Sequence, residues 1–402
     1  MHYSRRLTVP HLTNLLCAVT LTSALAACSS SSNPGTTNDG GGTGGSNNTD
    51  AGTPWGAPPL GTATEITQSS ITFVSLEGPL WVASGNYLLF SDVVEKNGAA
   101  AKIYKYDPAT NMFSVYPYPT AMTSTNGLGM DSMGRLVATE RYNHEVSRVE
   151  KDNTLKVLAS MYPATAAVPT GDAGADGGAA TDGGAAAEAG AAAGKAFNAP
   201  NDVTIDSMDN IYFSDTRWGS AYPDDMLVPN AAYRIAADGT LAQLFVAGSD
   251  PKMQSVNGIA LSLDRKWLYI GDDMQNKLFK LPLDTNGLVP MGATATLMAD
   301  KTKIPGDRFL IPDGITLDDN GDLYVALNHH DVNAIAVIGA DGTYKGRYDV
   351  PVGIDKDPDG GVVDPGGKGP SNISFGGMDR KTMYITTLHA IWKVSVTTAG
   401  KP

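Results

Sequence analysis

After about residue 76, apolar and polar side chains alternate in short runs broken by Gly, Asp, Asn and Pro. A period of two over short runs predicts strands rather than helices. Six stretches repeat one pattern: a polar residue, a small residue, an alternating strand, a turn and a second strand. They are EGPLWVASGNYLLFSD from Glu77, NGLGMDSMGRLVATE from Asn126, NDVTIDSMDNIYFSD from Asn201, NGIALSLDRKWLYIGD from Asn257, DGITLDDNGDLYVAL from Asp313 and SNISFGGMDRKTMYIT from Ser371. Ile103–Tyr106 and Leu278–Leu281 read as third strands, and turn pairs such as Asp107-Pro108, Asp238-Gly239 and Asp341-Gly342 follow such strands. Six repeats of roughly 50 residues with four strands each predict an all-β, six-bladed β-propeller over residues 62–398. A solenoid is the structural alternative. The segment Thr62–Phe73 precedes the first repeat and is placed to supply the outer strand of the last blade, which favours a closed ring.

The spacing is interrupted by residues 171–194, almost entirely Ala and Gly with nothing large and apolar, which reads as a disordered, dispensable surface insertion. At the start, Arg5 and Arg6 precede an apolar run from Leu15 to Ala27, too short to span a bilayer comfortably. The run ends in Leu25-Ala26-Ala27-Cys28, which has the form of a bacterial lipobox; an ordinary secretory signal with a chance Cys is the other reading. We therefore expect a lipoprotein signal peptide over 1–27, lipidation at Cys28, and a Ser/Gly/Asn tether over 28–61. Ser29 after the Cys implies the outer membrane, with the domain periplasmic or at the cell surface and touching the membrane through its lipid only. The two cysteines are Cys17 and Cys28, so neither a disulfide framework nor a Cys-based zinc site is available to the propeller. Asp plus Glu outnumber Lys plus Arg by 42 to 29, a net charge of -13, which argues against nucleic acid as a partner. Small substrates and metal cations remain compatible, and a monomer is expected.

In a propeller the first strand of each blade lines the central channel. The repeat-opening residues Glu77, Asn126, Asn201, Asn257, Asp313 and Asn372 would then share one height around the axis. All six carry a side-chain oxygen. Asn and Asp also favour strand-entry turns, which accounts for some of them but not for Glu77. Six oxygens with little compensating charge suit a cation, and oxygen-only donors suit Ca²⁺ before Zn²⁺, other divalent ions being possible. The loops from second to third strands return to the same face. They carry Asp92, Glu95, Glu140, Arg141, His144, Asp215, Arg217, Trp218, Asp272, Asp273, His329 and His330, either a solvated rim or a substrate rim.

Five motifs, in order and at blade spacing, resemble the gluconolactonase, regucalcin and lactonase-like propeller family. They are Glu77-Gly78-Pro79, Ala199-Pro200-Asn201-Asp202, Val256-Asn257-Gly258, Ile311-Pro312-Asp313-Gly314 and Phe375-Gly376-Gly377. The resemblance implies a divalent metal, usually Ca²⁺, on Glu77, Asn201, Asn257 and Asp313, polarising a lactone carbonyl, with Asp313 as general base or as ligand alone. Asn126, Asn198, Glu140, Arg141 and Asp215 are candidate substrate contacts. Two departures stand out. Ala196 occupies the place of an Arg expected two residues before Asn198, and Glu140-Arg141-Tyr142-Asn143-His144 replaces a Glu-His-x-Asn-Arg pattern. The expectation is a lactone hydrolase with an altered rim. A phosphotriesterase of the diisopropyl fluorophosphatase type and a non-catalytic envelope-binding propeller are the alternatives.

Overall fold

The computed structural model describes residues 55–67, 71–93, 101–162, 194, 196–216, 230–246, 253–329, 332–352 and 369–401. The expected signal peptide, Cys28, most of the tether and of the Ala/Gly block, and rim residues Glu95, Arg217, Trp218 and His330 lie outside these residues.

Six antiparallel sheets follow one another in sequence, five of four strands and one of five. The inner strands are Leu76–Val82, Thr125–Met130, Pro200–Ile205, Ile259–Leu261, Pro312–Leu317 and Asn372–Gly376, for blades 1 to 6. The ring closes as expected: Thr64–Ile66 pairs antiparallel with Ile391–Ser395, so the chain's first strands complete its last blade. Gly61–Thr62 adds a fifth, parallel strand to blade 5 beside Tyr344–Asp349.

The turn sequences dictate the inner hairpins. In blades 2, 3 and 5, Asp131, Asp206 and Asp318 each use Oδ1 to accept the backbone N–H groups two and four residues ahead. The tight return needs a left-handed residue, supplied by Gly134 (φ 74°), Asp209 (φ 63°) and Gly321 (φ 81°). Between blades, the buried faces of the strands fill with aromatic and branched side chains. Phe73, Phe90, Tyr104 and Phe113 form one such cluster, and Tyr162, Phe197, Phe213 and Tyr233 another.

The expected tether boundary at residue 61 moves. Trp55 is buried in the core with Ile304, Phe309 and Leu317, and its ring stacks on Tyr344. Arg347 lies 5.0 Å over that ring and donates to Ala57 O at 2.6 Å. The propeller therefore engages the chain from Trp55 onward.

Candidate metal centre

The channel-facing start of each inner strand is irregular for a physical reason. In blades 1, 2, 3 and 5 the register with the second strand slips just after the opening residue, so that two consecutive residues face a shorter stretch of partner. The slip brings the next blade's backbone very close, and glycine fills the contact. A Cβ on Gly78 would lie 2.1 Å from Asn126 O, one on Gly127 2.6 Å from Asn201 O, and one on Gly258 1.8 Å from Asp313 O. The Gly of the EG, NG and DG pairs is thus a steric requirement of the ring.

Blade 6 departs from this pattern, and one expectation is corrected by it. Its inner strand pairs regularly from Asn372↔Thr386 to Gly376↔Thr382. Ser371-Asn372-Ile373 lines up with Asn257-Gly258-Ile259: Ser371 N–H donates to Thr386 O as Asn257 N–H donates to Gly271 O, so Ser371 stands at the opening height, where its Oγ donates to Leu76 O at 2.6 Å. Asn372 drops one layer, to the height of Asp202. The two residues share a signature: Asn372 Oδ1 accepts Ile373 N, and Asp202 Oδ1 accepts Val203 N. Five of the six expected side chains therefore share the upper layer, and Ser371 takes the place expected for Asn372.

Glu77, Asn201, Asn257 and Asp313 come together there from four blades. Asn201 Nδ2 donates to Asn257 Oδ1. Asn257 hydrogen-bonds Asp313, whose Oδ2 also accepts Asn328 Nδ2 at 2.9 Å. Asn126 is buried alongside. Burial, then the charges of Asp313 and Asp202, push the Glu77 carboxyl well above its usual range, while Arg141 opposes the shift. Burial pushes Asp313 up to about 8, with Asp273 and Asp202 adding to it. Asp202 rises to about 6, again through burial. Three carboxyl groups thus crowd a desolvated place with only partial compensation, a situation a bound cation relieves. Among the described residues no group of three or more His, Cys, Asp or Glu side chains is arranged for a metal. The candidate donors are instead two carboxylates and two amides, an all-oxygen set that fits a hard divalent cation such as Ca²⁺.

Beneath this layer the channel widens into a cavity of about 400 Å³. Asp202 and Asn372 form part of its lining, with Thr204, Thr316, Ser374 and Lys401 below them, and none of the four candidate ligands reaches it. The cavity and the candidate centre are therefore separate levels of one channel.

The rim is built differently from the expectation. Asp92, Glu140, Asp215 and Asp272 close the second strands of blades 1 to 4, and all four are buried. Their carboxylates accept backbone N–H groups of the loop that leads into the inner strand: Val74 and Ser75, Thr123, Asn198 and Ala199, and Gln254 respectively. Glu140 also accepts from Asn143 and Ser147, and Asp215 from Tyr162. Burial pushes Asp215 up to about 7 against these donors. Glu140 and Asp215, both candidate substrate contacts, hold these loops. Asn198 is fully buried with its amide toward Asp215, and its carbonyl meets His144 Nδ1 at 2.6 Å. Among the candidate substrate contacts, Arg141 is the one whose charge is felt at Glu77. Asp202, not among the candidate site residues read from the sequence, lies beside the quartet; its signal is an Asn-Asp pair where blades 1, 2, 4 and 5 read Glu-Gly, Asn-Gly or Asp-Gly.

The family model described as SMP-30/Gluconolactonase/LRE-like region matches residues 76–389. The gluconolactonase of Zymomonas mobilis is 24% identical over 361 residues, covering 85% of this chain and 83% of that protein. A gluconolactonase structure from Xanthomonas campestris superposes with a TM-score of 0.57 at 20% identity, covering 84% of this chain and 96% of the other. A calcium-binding regucalcin from Agrobacterium tumefaciens gives 0.57 at 16% identity, covering 86% and 96%. At these identities the two structures establish the propeller fold.

Proposed function

Because the chain belongs to the SMP-30/Gluconolactonase/LRE-like family, we propose that it opens lactone rings by hydrolysis at the upper end of its channel. The supporting observation is the convergence of Glu77, Asn201, Asn257 and Asp313 from four blades on one desolvated, carboxylate-rich place. The donor set of two carboxylates and two amides supports a divalent cation, Ca²⁺ first, held by these four residues. Bound there, such an ion supplies Lewis-acid polarisation of a carbonyl oxygen.

The residues' own parts follow from their placement. Asn328 donates to Asp313 Oδ2 and Asn257 also hydrogen-bonds the carboxylate, so two amides orient it in the channel. Asp313 is the group best placed to take a proton from water as the water oxygen bonds to the lactone carbonyl carbon. The ring C–O bond then breaks, and the proton passes to the departing alkoxide, giving a hydroxy acid. Arg141, close enough to act on Glu77, stabilises negative charge at the mouth. Arg141, whose charge acts on Glu77, is the candidate contact through which the rim selects substrate, and sugar lactones are one class among those to be tried.

A panel of lactones, read by a pH indicator with and without chelator, tests the reading. Acid release from at least one lactone, abolished by chelation and by Asp313→Ala, is the expected result. A fluorophosphate in the same panel tests the phosphotriesterase alternative, and no turnover of any member leaves the binding-propeller alternative. On the same footing we place the protein as a lipoprotein acylated at Cys28 and facing the periplasm or exterior; lipid mass on the N-terminal peptide is the check.

A further inference from the structure

One residue below the candidate ligands, the inner strands cross a layer in which the repeat is broken. Blades 1, 2, 4 and 5 place Gly78, Gly127, Gly258 and Gly314 there, the first three packed on the next blade's backbone and Gly314 on the Asn372 side chain and Cα. Blade 3 places Asp202 there, and blade 6 places Asn372. Blades 3 and 6 stand opposite each other in a six-blade ring, so side chains at these two positions meet over the axis. They do: Asn372 Nδ2 donates to Asp202 Oδ1 at 3.2 Å.

Asp202 is fully engaged. Oδ1 also accepts Val203 N at 3.0 Å, and Oδ2 accepts Ile259 N at 2.9 Å from the neighbouring blade. Its own N–H donates to Ser214 Oγ. Asn201 immediately precedes Asp202, and Asn257 lies two residues before Ile259. One carboxylate thus fixes the backbone of both strands that present the candidate amide ligands. Two acceptor oxygens are needed for this, because an amide has one and would leave an N–H unsatisfied. The bridge also sits between the candidate centre and the cavity below, which Asp202 and Asn372 line.

We propose that Asp202, tied across the axis to Asn372, is the positioning residue of the metal centre. It holds Asn201 and Asn257 in register and supplies a negative charge beneath the cation without ligating it. The proposal rests on the metal-site reading above, and it reaches further by assigning a determinant of affinity outside the ligand set.

Calorimetric titration with Ca²⁺, alongside thermal melts in chelator, tests it. Loss of an outer partner of a ligand set typically costs 10–100-fold in metal affinity. Asp202→Asn is expected to weaken Ca²⁺ binding by that factor. Asn372→Ala keeps the charge but cuts the cross-axis tie, and is expected to weaken binding by a smaller, measurable factor. A residue of purely structural importance would lower the melting temperature in chelator and leave the Ca²⁺ Kd unchanged. Unchanged Kd in folded Asp202→Asn overturns the proposal and leaves the lactonase reading standing. If Asp202→Asn does not fold, unchanged Kd in Asn372→Ala overturns it equally. Wild type that binds no divalent ion overturns the metal centre and the proposal together.

Discussion

Gly258→Ala is the sharpest steric probe of the candidate centre. The added methyl would lie 1.8 Å from Asp313 O and 3.1 Å from Gly314 Cα, where ordinary contact starts near 3.4 Å. The neighbours are backbone, so no side chain can swing away. The inner strand of blade 5 must retreat by roughly 1.5 Å, or blade 4 must twist by as much. Overpacking of this kind costs about 1–3 kcal/mol. Unfolding entropy near 2 cal/mol/K per residue over roughly 300 folded residues gives ~0.6 kcal/mol/K, so the melting temperature should fall by about 2–5 °C. The functional effect should be larger than the thermal one. The displaced strand carries Asp313 while Asn257 stays on the other side of the clash, and a misplacement of about 1 Å can cost a factor of about 100 in rate. Gly292→Ala is the control. Gly292 has a left-handed φ of 74°, which Gly258 does not share, nothing lies within 4 Å of its added methyl, and turnover should be untouched. Differential scanning fluorimetry and lactone turnover read both variants. Should Gly258→Ala melt within 1 °C of wild type and keep its turnover, the close-packed ring is not what sets the site's geometry.

Three further outcomes are expected. Saturating the centre with Ca²⁺ at about a hundred times its Kd should stabilise the fold by about 2.7 kcal/mol, or ~4 °C, over the chelated protein, and equal melts with and without Ca²⁺ would count against the metal. Asp215 has a folded pKa near 7 against roughly 3.8 unfolded, so its contribution to stability is fully present below about pH 4 and is lost as pH rises through 7. The melting-temperature advantage of wild type over Asp215→Asn should therefore shrink between pH 4 and 8, by at most about 4 kcal/mol, and a gap that is constant or widens contradicts that burial effect. Trp55→Ala should cost about 3–5 kcal/mol, or 5–8 °C, whereas a chain begun at Gly52 should melt like the full protein; a harmless Trp55→Ala would return the boundary to residue 61.

The propeller was legible because its signals are local and repeated. Period-two runs, Asp-led turns and six openings at even spacing each say strand, hairpin and blade without reference to the rest of the chain. The candidate quartet was legible for the same reason, since Glu77, Asn201, Asn257 and Asp313 hold one place in that repeat. What escaped depends on register and on loop backbone. Ser371-Asn372-Ile373 lines up with Asn257-Gly258-Ile259 residue for residue, so Ser371 takes the opening place and Asn372 the glycine place, whereas counting the repeat from the Asn puts it one residue out of register. Trp55 sits between Pro54 and Gly56 in a polar stretch, so its burial is set by Tyr344 and Arg347, some 290 residues away in sequence. The carboxylates of Asp92, Glu140, Asp215 and Asp272 had the clearest unread signal. Four second strands end in an acid at one repeat position. A substrate contact would have no reason to recur around the ring, because a substrate bound off-axis meets each blade differently. Recurrence at one height marks a task that these four blades share, and the shared task is satisfying the N–H groups of the loop that enters the channel. By the same logic the singular positions deserve the functional weight. Asp202 and Asn372 break the glycine layer, and Glu77 is the sole Glu among the openings. These exceptions to the repeat, and not the repeat itself, are where the ring of six similar blades becomes a particular site.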